Sequence, residues 1–162
     1  MENKAVIIDA TRSPIGIKNG EMVGIRPDDL AAQVVKGLME RNNKVTSDQV
    51  EDLVMGCAFP EGPQGMLIGR SVVALAGLPQ TVPAKVVNRF CGSAMDALHQ
   101  VSTAIESGDI EVGIAAGIED MFSIPPGGFA PDFHPELAEQ EYYIGMGETA
   151  ENLANDGNIS RE

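Results

Sequence analysis

Cys91 is the residue of this chain best placed to do chemistry. It lies in Val86-Val87-Asn88-Arg89-Phe90-Cys91-Gly92-Ser93-Ala94-Met95-Asp96-Ala97-Leu98-His99, where a β-branched run gives way to a helical pattern. The first N–H groups of a helix have no intrahelical acceptors and carry the positive end of its dipole, and both favour a thiolate over a thiol. A cysteine at that junction can act as a nucleophile, and its backbone N–H is placed to donate to an oxyanion. The competing reading is an inert buried thiol.

The other groups able to do chemistry are weaker candidates. His99 is eight residues beyond Cys91, about 12 Å further along a helix rising 1.5 Å per residue. That is too far for a hydrogen bond to the sulfur. His134 falls among prolines and reads as a loop-stabilising or exposed side chain. Cys57 ends an apolar run and reads as a small core residue. The two cysteines form no disulfide or zinc pattern, and no metal site is expected. Gly62, Gly65 and Gly69 match neither a P-loop nor a dinucleotide fingerprint.

The elements that must position Cys91 follow from hydrophobic period and punctuation. Ala5–Ala10, Leu53–Cys57, Ala84–Asn88 and Val112–Ala116 read as buried strands. Between them, Pro27 opens a helix whose Leu30, Ala31, Val34, Val35, Leu38 and Met39 form one apolar stripe to about Glu40. Thr46 and Gln49 have capping-box spacing for a short turn. Residues 66–76 form a second helix stopped by Gly77 and Pro79, and a third runs from Cys91 to Ser107, where Gly108 ends it. Strands alternating with helices predict an α/β fold: a parallel sheet with right-handed crossovers, covered on both faces. After Met121 the prolines at 125, 126, 131 and 135 mark a boundary and a long loop to about Tyr143. Ser160 is a candidate N-cap for a helix beyond the last residue.

Composition narrows the partners. The 162 residues carry a net charge of −13, and residues 90–160 contain no Lys or Arg. Nucleic acid is therefore not an expected partner. The acidic surface reads as a solvated face that aids solubility, or as a docking surface for a basic subunit. No stretch approaches a membrane span, and the polar start Met1-Glu2-Asn3-Lys4 is no signal peptide. Unpaired cysteines agree with a reducing setting, cytoplasmic or organellar.

The Asn-Arg-Phe-Cys-Gly-Ser turn and the Met-x-Ala-Leu-His helix resemble the active-site segment of thiolases, most closely the 3-ketoacyl-CoA thiolases of fatty acid β-oxidation. The resemblance covers nearly the whole chain. It begins at Val6-Ile7-Ile8-Asp9-Ala10-Thr11-Arg12-Ser13-Pro14-Ile15-Gly16 and passes through Ala76-Gly77-Leu78-Pro79 and Gly117-Ile118-Glu119-Asp120-Met121. It ends with Asp132-Phe133-His134-Pro135 and Met146-Gly147-Glu148-Thr149-Ala150-Glu151-Asn152. One such motif is weak; a series in family order is not. Cys91-Gly92-Ser93 also superficially matches papain-like proteases, but those continue with Cys and an aromatic, and here Ala94 and Met95 follow.

The resemblance implies a thiolase-like fold, the first βαβαβαβ unit of a layered α-β-α arrangement. Residues 1–121 would form the N-terminal domain without its last strand, and 122–162 the truncated start of an inserted loop domain. Cys91 would be the catalytic nucleophile of an acyltransferase that cleaves 3-ketoacyl-CoA with CoA through an acyl-cysteine. CoA enters as substrate, and no cofactor is required. The family's Gly-His-Pro, Cys-x-Gly-Gly-Gly and Asn-Glu-Ala-Phe segments do not occur here, and with no Lys or Arg in residues 90–160 the phosphates of CoA would be held by parts not present. The isolated chain is therefore expected to be inactive, a part of a complete thiolase. Acyl-CoA and CoA, a homodimer or higher oligomer and a β-oxidation partner subunit are the implied partners. Two alternatives stay open: a biosynthetic acetoacetyl-CoA thiolase running a Claisen condensation, and a non-catalytic thiolase-like module that binds acyl-CoA or a partner. The sequence departs from the common pattern at Met66-Leu67, where Gln-Asn is frequent, and at Glu119-Asp120-Met121-Phe122, where Glu-Ser-Met-Ser is usual.

Overall fold

The computed structural model describes residues 4–162; the start Met1-Glu2-Asn3, read above as no signal peptide, lies outside the described residues. The chain divides into two units, one ending at Phe129 and the other running from Ala130 to Glu162.

The first unit is built on three parallel strands, β1 (Asp52–Gly56), β2 (Ala84–Val87) and β3 (Gly113–Gly117), in the order β2-β1-β3. Leu53 pairs with Ala84 on one side and with Ile114 on the other. Side chains alternate across a strand, and β1 uses both faces. Leu53 and Met55 join one core with Ala31 and Val35 of α1 (Pro27–Arg41) and Ile68, Val72 and Val73 of α2 (Ile68–Leu75). Val54 points the other way, into a cluster with Ala97 and Val101 of α3 (Ser93–Ser107). Both faces of the sheet are thus covered, as a parallel sheet requires.

The helices keep the expected order but not every boundary. Pro27 occupies the first turn of α1, with Asp28 and Asp29 at its positive end. Gln49 Oε1 accepts from the Thr46 N–H at 2.8 Å, fixing the turn before β1. The second helix starts at Ile68 rather than residue 66, because Met66 and Leu67 are left-handed (φ 49° and 59°). The third starts at Ser93 rather than Cys91: Phe90 is left-handed (φ 45°), and Gly92 is the non-helical residue flanking the first turn. It stops at Gly108 as expected, with φ 83°.

One expected element is absent. Ala5–Ala10 is neither a strand nor buried: it has no ladder partner, and Val6, Ile7 and Ile8 are 74, 69 and 66% exposed. A cavity of about 300 Å³ separates this run from β3, lined by Ala5–Asp9 on one side and Gly113–Ala115 on the other. The run therefore has no edge within hydrogen-bonding reach. It is tethered instead at Asp9, whose carboxylate accepts from Arg41 at 2.5 and 3.1 Å and from Asn42 at 2.6 Å. Those bonds hold the Asp9 carboxyl down at about 2.

The second unit carries α4 (Pro135–Glu139) and α5 (Met146–Gly157). The expected long loop is thus interrupted by a helical turn, which Pro135 opens. Phe133 stacks on Tyr143 at 4.6 Å, and Tyr142 meets Tyr143 edge-on at 5.3 Å. Asn158, left-handed at φ 50°, closes α5.

Candidate active site

Ligand and catalytic sites of open parallel sheets lie beyond the carboxyl ends of the strands. In this molecule that edge is formed by residues 57–60 after β1, Asn88–Gly92 after β2 and Ile118–Asp120 after β3. Cys91 stands there, exposed and with a free thiol. Its placement depends on how closely α3 approaches the sheet. A Cβ on Gly56 would fall far inside van der Waals contact of the Ser93 carbonyl carbon and the Ala94 nitrogen, and one on Gly117 would lie 2.6 Å from Ala94 Cβ. These two glycines form a notch for the first turn of α3. No larger residue would let that turn, and the cysteine ahead of it, sit so near the strand ends.

The Cys91 turn is tied down on both sides. Ser93 Oγ accepts from the Arg89 N–H at 2.8 Å and donates to the Phe90 carbonyl at 2.6 Å. The Ser93 N–H reaches the same carbonyl at 3.0 Å. On the strand side, Asn88 Oδ1 accepts from the Phe90 N–H at 2.9 Å, while its Nδ2 donates to the Ala58 carbonyl at 2.8 Å. These bonds hold Phe90 in its left-handed conformation. The Cys91 N–H has no protein acceptor among the described residues, so a backbone donor and an exposed free thiol share one residue.

Behind the turn lies a second layer of polar groups. Glu119 Oε2 accepts from the Ala58 N–H at 2.6 Å; its Oε1 accepts from Phe59 N–H at 3.3 Å and from Gln64 Nε2 at 2.9 Å. Gln64 also donates to the Phe59 carbonyl at 2.9 Å and accepts from the Asp120 N–H. Cys57 lies 4.0 Å from Glu119. It is buried as expected, and burial, aided by the Glu119 charge, pushes its thiol up to about 12.

Neither histidine side chain takes part in these hydrogen bonds. His99 lines a shallow groove along α3 with Arg89, Met95 and Asp96. His134 lies in the second unit, immediately before α4, where its N–H meets Tyr143 Oη at 3.3 Å. Sequence reasoning singled out Cys91 but not Asn88, Glu119 or Gln64. Asn88 and Glu119 do carry a signal, since each directly follows or nearly follows a strand of a parallel sheet. Gln64 carries none.

A parallel α/β sheet that carries an exposed cysteine ahead of a helix, at the carboxyl edge of its strands, defines the class of domain to which this unit belongs. Within that class, residues 5–162 match the family described as thiolase, N-terminal domain, and the chain belongs to the thiolase family. It is 41% identical to a 3-ketoacyl-CoA thiolase of Bacillus subtilis over 98% of its own length, which is 41% of that protein. It is 38% identical to a β-ketoadipyl-CoA thiolase of Pseudomonas putida, over 96% of this chain and 43% of that one. The fold superposes on the crystal structure of a Bacillus anthracis acetyl-CoA acetyltransferase with a TM-score of 0.81 at 28% identity. That match covers 99% of this chain and 43% of the other. The chain thus spans about two-fifths of the length of the relatives it matches, corresponding to their N-terminal portion.

Proposed function

We propose that this chain supplies the nucleophile of an acyltransferase that cleaves 3-ketoacyl-CoA. The observation that carries the reading is Cys91: exposed, at the carboxyl edge of a parallel sheet, one residue ahead of the cap of α3. In this reaction the Cys91 thiolate adds to the keto carbonyl. The bond between the α and β carbons then breaks, and the departing carbanion takes a proton and leaves as acetyl-CoA. The acyl group remains on Cys91 Sγ as a thioester. The thiol of a second CoA attacks that thioester, loses its proton and departs as the shortened acyl-CoA, returning the cysteine. Sulfur suits both steps, as a strong nucleophile near neutral pH and a good leaving group.

CoA is a substrate in this reading, and no other cofactor is invoked. The proton-transferring groups and the cations that hold the CoA phosphates come from outside these 162 residues, so the chain alone does not turn over. Assembly into a dimer or larger oligomer and a cytoplasmic setting belong to the same proposal. The 41% identity to a 3-ketoacyl-CoA thiolase supports the degradative direction over the condensing one.

The test is acid quenching of the protein, isolated from its source, during turnover of 3-ketoacyl-CoA, followed by peptide mass analysis. An acyl adduct on Cys91 is expected, with loss of the adduct and about a 10⁴-fold or greater fall in turnover in Cys91→Ala. Turnover without acylation of Cys91 would overturn the assignment. Activity confined to acetoacetyl-CoA would move it to the condensing enzyme, and absence of both adduct and turnover to a binding module.

A further inference from the structure

Among the described residues the structure buries two polar side chains, Gln64 at 0% and Ser93 at 3% exposure, and both belong to a set of hydrogen bonds that closes around the Cys91 turn. Buried polar groups are costly unless paired, and here none of the buried side-chain nitrogens and oxygens lacks a partner. The path can be traced atom by atom. Gln64 and Glu119 grip the 58–59 backbone; the Ala58 carbonyl accepts from Asn88; Asn88 accepts from Phe90 N–H; the Phe90 carbonyl accepts from Ser93. The path joins the carboxyl ends of all three strands, and Cys91 lies inside its last loop.

The chemistry of position 119 is specific. Its hydrogen-bond partners are all donors: two backbone N–H groups, the Gln64 amide and the Cys57 thiol. An ionised carboxylate is acceptor-only and satisfies such a set, whereas an amide must turn one N–H₂ toward a donor. We propose that Glu119 is a positioning residue for Cys91, acting through the Ala58 peptide and Asn88 on the Phe90–Cys91 peptide. The inference rests on the reading of Cys91 as the nucleophile, and it assigns Glu119 a role in setting how well that nucleophile is presented.

Two substitutions cut the path at different points. Glu119→Gln misaligns the Ala58–Phe59 turn. Asn88→Asp removes the donor to Ala58 but keeps the acceptor for Phe90. The protein isolated from its source, and variants produced in the same source, are treated with iodoacetamide, and the rate at Cys91 is followed by peptide mass; kcat and KM for 3-ketoacyl-CoA are measured alongside on the same preparations. The expected result is at least a fivefold slower reaction at Cys91 in each variant, and a fall in kcat with KM within twofold of the parent. The double variant should be no slower than the worse single one, because both break the same path. Rates within twofold of the parent in both variants, or fully multiplicative effects in the double one, would overturn the proposal. Should Glu119→Gln lose its fold by circular dichroism, Asn88→Asp decides alone, being an exposed position that keeps its volume. If the unsubstituted protein never acylates Cys91, the parent reading fails, while the iodoacetamide rates still decide the positioning role.

Discussion

Two cysteines in one small domain have opposite prospects, and environment alone separates them. Cys57 is buried and its thiol is pushed up to about 12, chiefly by loss of solvent and then by the Glu119 charge. Its folded value is raised, so its contribution to stability is fully present below the unfolded value near 9 and is lost as pH climbs through 12. The expected outcome is that iodoacetamide at pH 8 modifies Cys91 alone, with Cys57 reacting only after denaturation. The urea midpoint should fall above about pH 9, and that fall should shrink in Cys57→Ala. Leu67 shows a different residue-scale cost. Left-handed backbone costs a non-glycine residue about 1–2 kcal/mol, and asparagine tolerates it. Leu67→Asn, which restores the asparagine frequent in the family, is expected to raise stability by about 1 kcal/mol, read as a higher urea midpoint at unchanged slope.

At the scale of elements, the junction of α3 with the sheet is decisive. The hydrophobic stripe of α3 explains why it packs on Val54, but not how close its first turn can come. Gly56 and Gly117 determine that distance. Gly56→Ala places a methyl group against the Ser93–Ala94 backbone, which cannot rotate away as a side chain can. The expected cost is about 3 kcal/mol by chemical denaturation, with slower reaction of iodoacetamide at Cys91 in the fraction that remains folded. The sequence order of strands and helices was legible from hydrophobic runs and from Pro27, Gly77 and Gly108. Each of the three strands that form differs from its apolar run by one residue at one or both ends, since such a run marks burial rather than the ladder itself. The two helix starts that moved did so because Leu67 and Phe90 adopt conformations for which their side chains carry no signal.

For the whole molecule, charge and exposed apolar surface oppose each other. The net charge of −13 keeps copies apart near neutral pH. Approaching the pI of about 4.4 removes that repulsion, while the Ala5–Ala10 run and the outer edge of β3 remain open to association. Light scattering is expected to rise between about pH 5 and 4, and Ile7→Lys should suppress that rise by placing a charge on the exposed run.

The sequence by itself determined the class of fold and the station of Cys91 at a strand-to-helix junction. These rest on local period, on turn residues and on a short motif, which are properties of contiguous residues. Tertiary structure decided the rest. Ala5–Ala10 is as apolar as a buried strand, yet a strand exists only where another edge lies within hydrogen-bonding reach, and here a cavity intervenes. Glu119 meets Ala58 across 61 residues and Asn88 meets Ala58 across 30. Such partners come together only once the order β2-β1-β3 has brought three strand ends side by side. That meeting, rather than any spacing along the chain, surrounds Cys91 with the groups that hold it.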